Sequence, residues 1–244
     1  AAGSLHSLIL KNDNSLWGCG DNYTGQLGNG TNEDQNKLIH IMDDVQNIAA
    51  GSNSLFLKND CSLWGCGSNY FGQLGNNTNE DQNKPIHIMD DVFIFDAGYS
   101  HILIVKNDGS LWGCGDNISG QLGNGTNENQ SKPIHIMDDV ITISAGKRFS
   151  LILKNDGSLW GCGLNSFGQL GVTTEDQNKP THITDNVMSI ETGDSHSLIL
   201  KNDGTLWGCG LNSYGQLGNG TTNNQNKLIY IMDDIQSIGA GKYY

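Results

Sequence analysis

An all-β fold, a β-propeller of five four-stranded blades, is predicted by three observations. Trp17, Trp64, Trp112, Trp160 and Trp207 recur every 47 or 48 residues, each inside "LWGCG" and each followed by "GQLG". Every copy spaces four short apolar stretches with Gly, Asn, Asp and Thr. No segment with a 3.6-residue apolar period is long enough to make a helix. A period of this length marks a solenoid or a propeller, in which no single repeat buries its own apolar face. Antiparallel strands with Gly at the tight crossings favour the propeller.

The elements can be justified in order within the copy that opens at Val140. A first strand is expected in "VITISAG" and a second in "SLILK", Ser150 to Lys154. "KNDG" joins the second to the third as a tight hairpin, because Asp-Gly tolerates the positive φ angles that strand twist requires. The third strand is "GSLWGC", Gly157 to Cys162, and the fourth "KPTHIT", Lys179 to Thr184. Pro180 suits the outer edge of a sheet, where a missing N–H does little harm. Counting from the Gly of each "AG" step, the repeats cover about 3–50, 51–97, 98–145, 146–192 and 193–241, and the whole of 1–244 reads as one repeat domain without a linker. The chain opens at Ala1 inside such a step, and "DDIQSIGAGKYY" at the other end supplies one more strand. That strand is expected to complete the first blade and close the ring, removing two open sheet edges. A fragment of a longer array is the competing reading.

With these motifs in place, "AAGSLHSLILKNDNSLWGCGDNYTGQLGNGT" resembles the regulator of chromosome condensation (RCC1-like) repeat. The resemblance extends over essentially the whole chain. It implies a propeller whose members act by binding other proteins: the founding member is a nucleotide exchange factor that also binds chromatin, and a bacterial relative inhibits β-lactamases. Two departures weaken the exchange-factor reading. There are five repeats rather than the seven blades usual in the family, and no long insertion serves as a wedge against a GTPase.

The formal charge is −13, from 26 acidic and 13 basic residues, and no Lys/Arg stripe is present. Attraction to a phosphate backbone is therefore disfavoured, so no nucleic-acid partner is expected. No membrane role is expected either, since no apolar run approaches a span and no signal or lipidation motif is visible. Six cysteines without disulfide or metal spacing favour a reducing, cytoplasmic setting, with a secreted or cell-surface one left open.

Propeller geometry sorts the loops into two ends. The hairpins and the blade connections share one end, which gathers Asp13, Asp60, Asp108, Asp156 and Asp203 with Asp43, Asp44, Asp90, Asp91, Asp138, Asp139, Asp185, Asp233 and Asp234. Turn chemistry and solubility account for this acidic rim, and attraction of a basic partner or of divalent cations is the sharper alternative. At the opposite end the copies differ. Before "GQLG" stand Tyr23-Thr24, Tyr70-Phe71, Ile118-Ser119, Ser166-Phe167 and Ser213-Tyr214. After the "AG" step stand Ser4-Leu5, Ser52-Asn53, Tyr99-Ser100, Lys147-Arg148-Phe149, Asp194-Ser195 and Lys242-Tyr243-Tyr244. Aromatic and Arg side chains on scaffold loops are what a protein-binding surface uses. The candidate partner-binding residues are Tyr23, Tyr70, Phe71, Tyr99, Lys147, Arg148, Phe149, Phe167, Asp194 and Tyr214. Arg148, the single arginine, is the expected anchor. Packing between blades is the alternative role for Tyr70, Phe71, Phe167 and Tyr214.

The remaining chemistry-bearing residues read as framework. Cys19, Cys66, Cys114, Cys162 and Cys209 occupy one register as small apolar fillers, and no metal ligand set is expected. Cys61 replaces a hairpin Gly, which predicts an exposed thiol on a strained backbone. His40, His87, His135 and His182 share a register with Tyr230, and His6, His101 and His196 share one with Phe149, so both sites ask for a flat ring. "GQLGNG" lacks the following helix and Lys that a phosphate loop needs. Gln26, Gln73, Gln121, Gln169 and Gln216 are expected to tie loop backbone groups. "NGT" and "NNT" are turn composition, or glycosylation acceptors in a eukaryotic secretory protein. No cofactor and no catalytic group is expected. The leading function is a protein-binding scaffold acting through the variable loop end, monomeric or self-associating through unfinished ends. A guanine nucleotide exchange factor and a structural module of a longer surface protein are the alternatives.

Overall fold

The computed structural model describes residues 1–3, 5–172 and 174–241. The expectations for Ser4 and for Lys242, Tyr243 and Tyr244 lie outside the described residues. No helix appears among those described, and hence none long and apolar enough to cross a membrane.

The strands follow the repeat. The first copy forms β1 (His6–Leu10), β2 (Leu16–Gly20) and β3 (Gln35–Met42); the second, β4 (Val45–Ala50), β5 (Asn53–Lys58), β6 (Leu63–Gly67) and β7 (Gln82–Met89). The third forms β8 (Val92–Ala97), β9 (His101–Lys106), β10 (Leu111–Gly115) and β11 (Gln130–Met137). The fourth forms β12 (Val140–Ala145), β13 (Phe149–Lys154), β14 (Leu159–Gly163) and β15 (Gln177–Thr184). The fifth forms β16 (Val187–Thr192), β17 (His196–Lys201), β18 (Leu206–Gly210) and β19 (Gln225–Met232). Each copy is one antiparallel sheet with its strands in sequence order, the arrangement of a propeller blade; the first has three strands and the other four have four. Residues 235–241 form no strand, so the expected closing strand is not seen among the described residues.

The turns have the predicted chemistry. At the hairpin tips Gly109, Gly157 and Gly204 take φ of 80 to 82°, and the first two copies hold the same conformation with Asn14 and Cys61, both at 63°. Asp44, Asp91, Asp139, Asn186 and Asp234 turn the blade connections in the left-handed region, which Asp and Asn tolerate better than most side chains.

Contacts divide the chain into two compact units, one of Ala1–Asp116 with Asn129–His135 and one of Asn117–Glu128 with Ile136–Tyr244. In each, the core lies between consecutive sheets. In the first unit Leu55, Leu57 and Leu63 of one sheet meet Val92, Phe95, Ile102 and Ile104 of the next. In the second, Phe149, Leu151 and Leu153 meet Val187, Ile190 and Ile199. Fully burying each such side chain is worth about 1.5–3 kcal/mol, and a repeat gains it only beside a neighbour. Polar locks reinforce the junctions. Gln26 carbonyl accepts from the Ser54 hydroxyl at 2.6 Å and the Cys66 thiol at 3.4 Å, and Gln121 and Gln169 carbonyls receive Ser150 and Ser197, both at 2.7 Å. The cysteine register, read from sequence as apolar filling, thus carries donors aimed at the preceding repeat.

Candidate functional site

The two ends of the strands are built differently. At the hairpin end, Val45 N–H donates to Asn14 carbonyl at 3.0 Å and Asn59 N–H to Asp44 carbonyl at 2.8 Å, so tip and connection lie together as expected. The tip carboxylates are held ionised: hydrogen bonds from the Ser15 hydroxyl and backbone lower Asp13 to about 2, and the same bonds lower Asp60, Asp108, Asp156 and Asp203. Ser15 in turn accepts from Trp17 Nε1 at 2.9 Å. His40 meets the Trp17 ring edge-on, with centroids 5.4 Å apart, and its Nε2 lies 2.8 Å from Asp43. Tyr230 takes the same edge-on position against Trp207 at 6.0 Å, so the ring register serves the framework. No group of three or more His, Cys, Asp or Glu suited to a metal ion occurs among the described residues.

At the opposite end, the two variable loops are drawn together by main-chain bonds. Asp21 N–H donates to Leu5 carbonyl at 3.0 Å, Asp116 N–H to Ser100 carbonyl at 2.8 Å, and Leu164 N–H to Arg148 carbonyl at 2.8 Å. The glutamines act as predicted: Gln73 Oε1 accepts from Phe71 N–H at 3.0 Å, Gln169 from Phe167 at 3.1 Å and Gln216 from Tyr214 at 3.0 Å. A second loop-holder was missed by sequence reasoning. Asn69 is fully buried; its amide donates to Asn76 Oδ1, Thr78 carbonyl and Glu80 carbonyl, and its oxygen accepts from Leu74 N–H at 2.8 Å. Asn22 and Asn212 do the same in their copies. The signal was present as an Asn two residues after each "CG", hidden in a loop composition rich in Asn.

This bracing turns the divergent side chains outward. In the first unit Tyr23 and Tyr70 are 81% and 73% exposed, and Tyr70 packs edge-on against the half-buried Phe71 at 5.0 Å. Tyr99 is exposed at the mouth of a cavity of about 200 Å³ lined also by Leu5, Asp21, Thr24 and Ser52, whose hydroxyl donates to Tyr99 carbonyl at 2.7 Å. In the second unit Lys147 and Arg148 are exposed, Asp194 is half-buried with its carbonyl accepting from Lys147 N–H at 3.2 Å, and Phe167 and Tyr214 reach solvent, Tyr214 at 78%.

Phe149 is a correction. It is fully buried in the core of the second unit, because its ring, like those of His6 and His196 in the same register, points inward over the Gly of the preceding step. It presents nothing to a partner. Cys61 is half-buried rather than exposed, though its left-handed backbone is as expected. The exposed Phe93, Ile141 and Met188 were not anticipated. Each is the extra residue of a bulge at the start of its sheet, next to the acidic connections, and a bulge is invisible in strand periodicity. Burial raises the Cys66, Cys114, Cys162 and Cys209 thiols, the last two to about 12, so they stay protonated donors. Burial also lowers His101 to about 4.

Strand order, blade repetition and junction chemistry together define a repeat propeller whose repeated text builds the frame. The chain belongs to the RCC1-like domain family, whose model matches residues 1–244. Comparison with curated protein sequences gives no match. Among solved structures, human WBSCR16 is similar with a TM-score of 0.84 at 22% identity, over 98% of this chain and 68% of that one. Prp20p of Saccharomyces cerevisiae, a structure reported with its binding properties to Gsp1p and histones, is similar at 0.71 and 19% identity, over 96% and 76% of the two chains. Yeast RCC1 (Prp20) with Kap60 bound to it scores 0.63 at 18% identity, over 100% and 78%. At such identities the likeness speaks for the fold.

Proposed function

We propose that the chain is a protein-binding scaffold that recognises a partner through the braced loops opposite the hairpins. The observation that carries this reading is the outward exposure of Tyr23, Tyr70 and Tyr214 at positions where otherwise near-identical copies differ. Framework residues in those loops are buried and bonded; the divergent rings are left in solvent on a rigid support, where an aromatic side chain loses little entropy on binding. The first unit offers Tyr23, Tyr70, Phe71 and the Tyr99 cavity. The second offers Lys147, Arg148, Phe167, Asp194 and Tyr214. Protein partners of Prp20p support a protein ligand, and the formal charge of −13 opposes a nucleic acid.

Affinity capture from the source organism's extract, followed by calorimetry with the purified partner, tests the reading. Tyr23→Ala with Tyr70→Ala, or Arg148→Ala, should weaken that partner by about 2 kcal/mol or more, roughly thirtyfold, if the ring or guanidinium is a hot spot. The same affinity in all these variants, or equal weakening by Phe93→Ser at the other end, would sink it. An exchange-factor reading is favoured by the likeness to Prp20p alone; acceleration of nucleotide release from any of a panel of small GTPases would put it first.

A further inference from the structure

Four copies leave two residues between the glycine of the "AG" step and the strand that opens the hairpin: Gly3 to His6, Gly98 to His101, Gly146 to Phe149 and Gly193 to His196. The second copy leaves one, Ser52 between Gly51 and Asn53, although Asn53 stands opposite Gly67 as His6 stands opposite Gly20. The ring is missing there as well. A Cβ on Gly3, Gly146 or Gly193 would lie 2.1 to 2.3 Å from the ring of His6, Phe149 or His196, whereas on Gly51 it would lie 3.7 Å from Asn53 Oδ1. Beside this shortened loop lies the cavity of about 200 Å³ that has Tyr99 at its mouth and Asp21, Thr24, Gly51 and Ser52 in its lining.

The polar atoms of that lining are set to accept. The Thr24 hydroxyl gives its hydrogen to Gln26 Oε1 at 2.8 Å and the Ser52 hydroxyl gives its own to Tyr99 carbonyl at 2.7 Å, so both have only lone pairs left for an occupant. The half-buried Asp21 carboxylate accepts from Gln26 Nε2 and has no ion-pair partner among the described residues. At the same position the later copies carry Ser68, Asp116, Leu164 and Leu211, and the one other acid, Asp116, is buried. His6, also in the lining, gives its Nε2 hydrogen to the Ser54 hydroxyl at 2.8 Å, since that hydroxyl is itself donating to Gln26 carbonyl. No lysine or arginine lines the cavity among the described residues.

We propose that this cavity takes an arginine side chain of the protein partner, an inference that rests on the loop-end reading and names the chemistry of its ligand. At about 200 Å³ it falls below the roughly 300–1,000 Å³ of small-molecule sites and suits one side chain rather than a cofactor. A guanidinium carries five N–H donors in one plane and no acceptor, which matches an acid and hydroxyls that can only accept, and its flat face stacks on an aromatic ring such as that of Tyr99. The ammonium of lysine is a point charge with three donors on one atom, and it serves acceptors on three different residues less well. The formal charge of −13 draws a basic segment towards the site.

Nuclear magnetic resonance titration of the chain with acetyl-Gly-Arg-Gly-amide, and with the same peptide carrying lysine or neutral citrulline, tests this. The arginine peptide should give saturable shifts at the amides of Asp21, Thr24, Ser52 and Tyr99 and bind about tenfold tighter than the citrulline peptide, which keeps the shape and loses the charge. Asp21→Asn, with a side chain of the same size, should weaken the arginine peptide about tenfold, and Tyr99→Ala, at an exposed ring, about threefold, both with unchanged circular dichroism. If Asp21→Asn loses its fold, Tyr99→Ala decides. Absence of saturable shifts at these amides, lysine or citrulline binding as tightly as arginine, or full affinity in both variants overturns the proposal. None of these results touches the loop-end reading, because partner capture and its loss in Tyr23→Ala with Tyr70→Ala, or in Arg148→Ala, are measured without the peptide.

Discussion

At position 149 a buried phenyl ring takes the place that buried imidazoles take at His6, His101 and His196; the rings of His6, Phe149 and His196 sit over Gly3, Gly146 and Gly193, the glycines that end the preceding step. The slot excludes water, which is why burial holds His101 near 4 rather than near its usual 6.5. The unfolded chain binds a proton there between those values and the native one does not. The stability tied to a neutral His101 is therefore complete above about pH 6.5 and is lost as pH falls towards 4. His101→Phe, copying the fourth repeat, should narrow the difference in urea midpoint between pH 7 and pH 5; an unchanged difference would show that the ring does not titrate on unfolding. At position 61 a cysteine holds φ of 63° where the first copy uses Asn14 at the same angle. Left-handed backbone costs most side chains about 1–2 kcal/mol and asparagine less, so Cys61→Asn should raise stability by about 1 kcal/mol, read from the denaturation midpoint.

The loop element between the third and fourth strands depends on its buried asparagine. Removing the Asn69 side chain takes away the acceptor of the Leu74 N–H and a donor to the carbonyls of Thr78 and Glu80, the latter keeping its bond from Gln82 Nε2 at 2.9 Å. Leaving a buried donor unpaired costs about 1–3 kcal/mol, and Asn69→Ala should cost at least that. Faster amide exchange should appear across residues 69–81, and because the loop carries Tyr70, partner capture should weaken as well. A loop that exchanges at the wild-type rate in this variant would show that the glutamine suffices. Periodicity made the strands legible, since alternation and the Asp-Gly hairpin are local signals. The bulges that expose Phe93, Ile141 and Met188 were not legible, because the extra residue is defined by the partner strand.

At the scale of the molecule, repetition made the architecture plain and left the surface uncertain. A residue kept in all copies could be assigned to the frame without coordinates, and Trp17 and Gln26 belong there. Divergence was a weaker guide. Tyr70 diverges and faces solvent; Phe149 diverges and is core. By itself the sequence determined the repeat, the strand order, the turn conformations and the acidic end, all of which follow from local propensity and period. Only the tertiary structure decided which rings are buried, which bulge residues emerge and where a cavity opens, because burial is a property of what lies beside a residue in space, and identical copies of a text can have different neighbours.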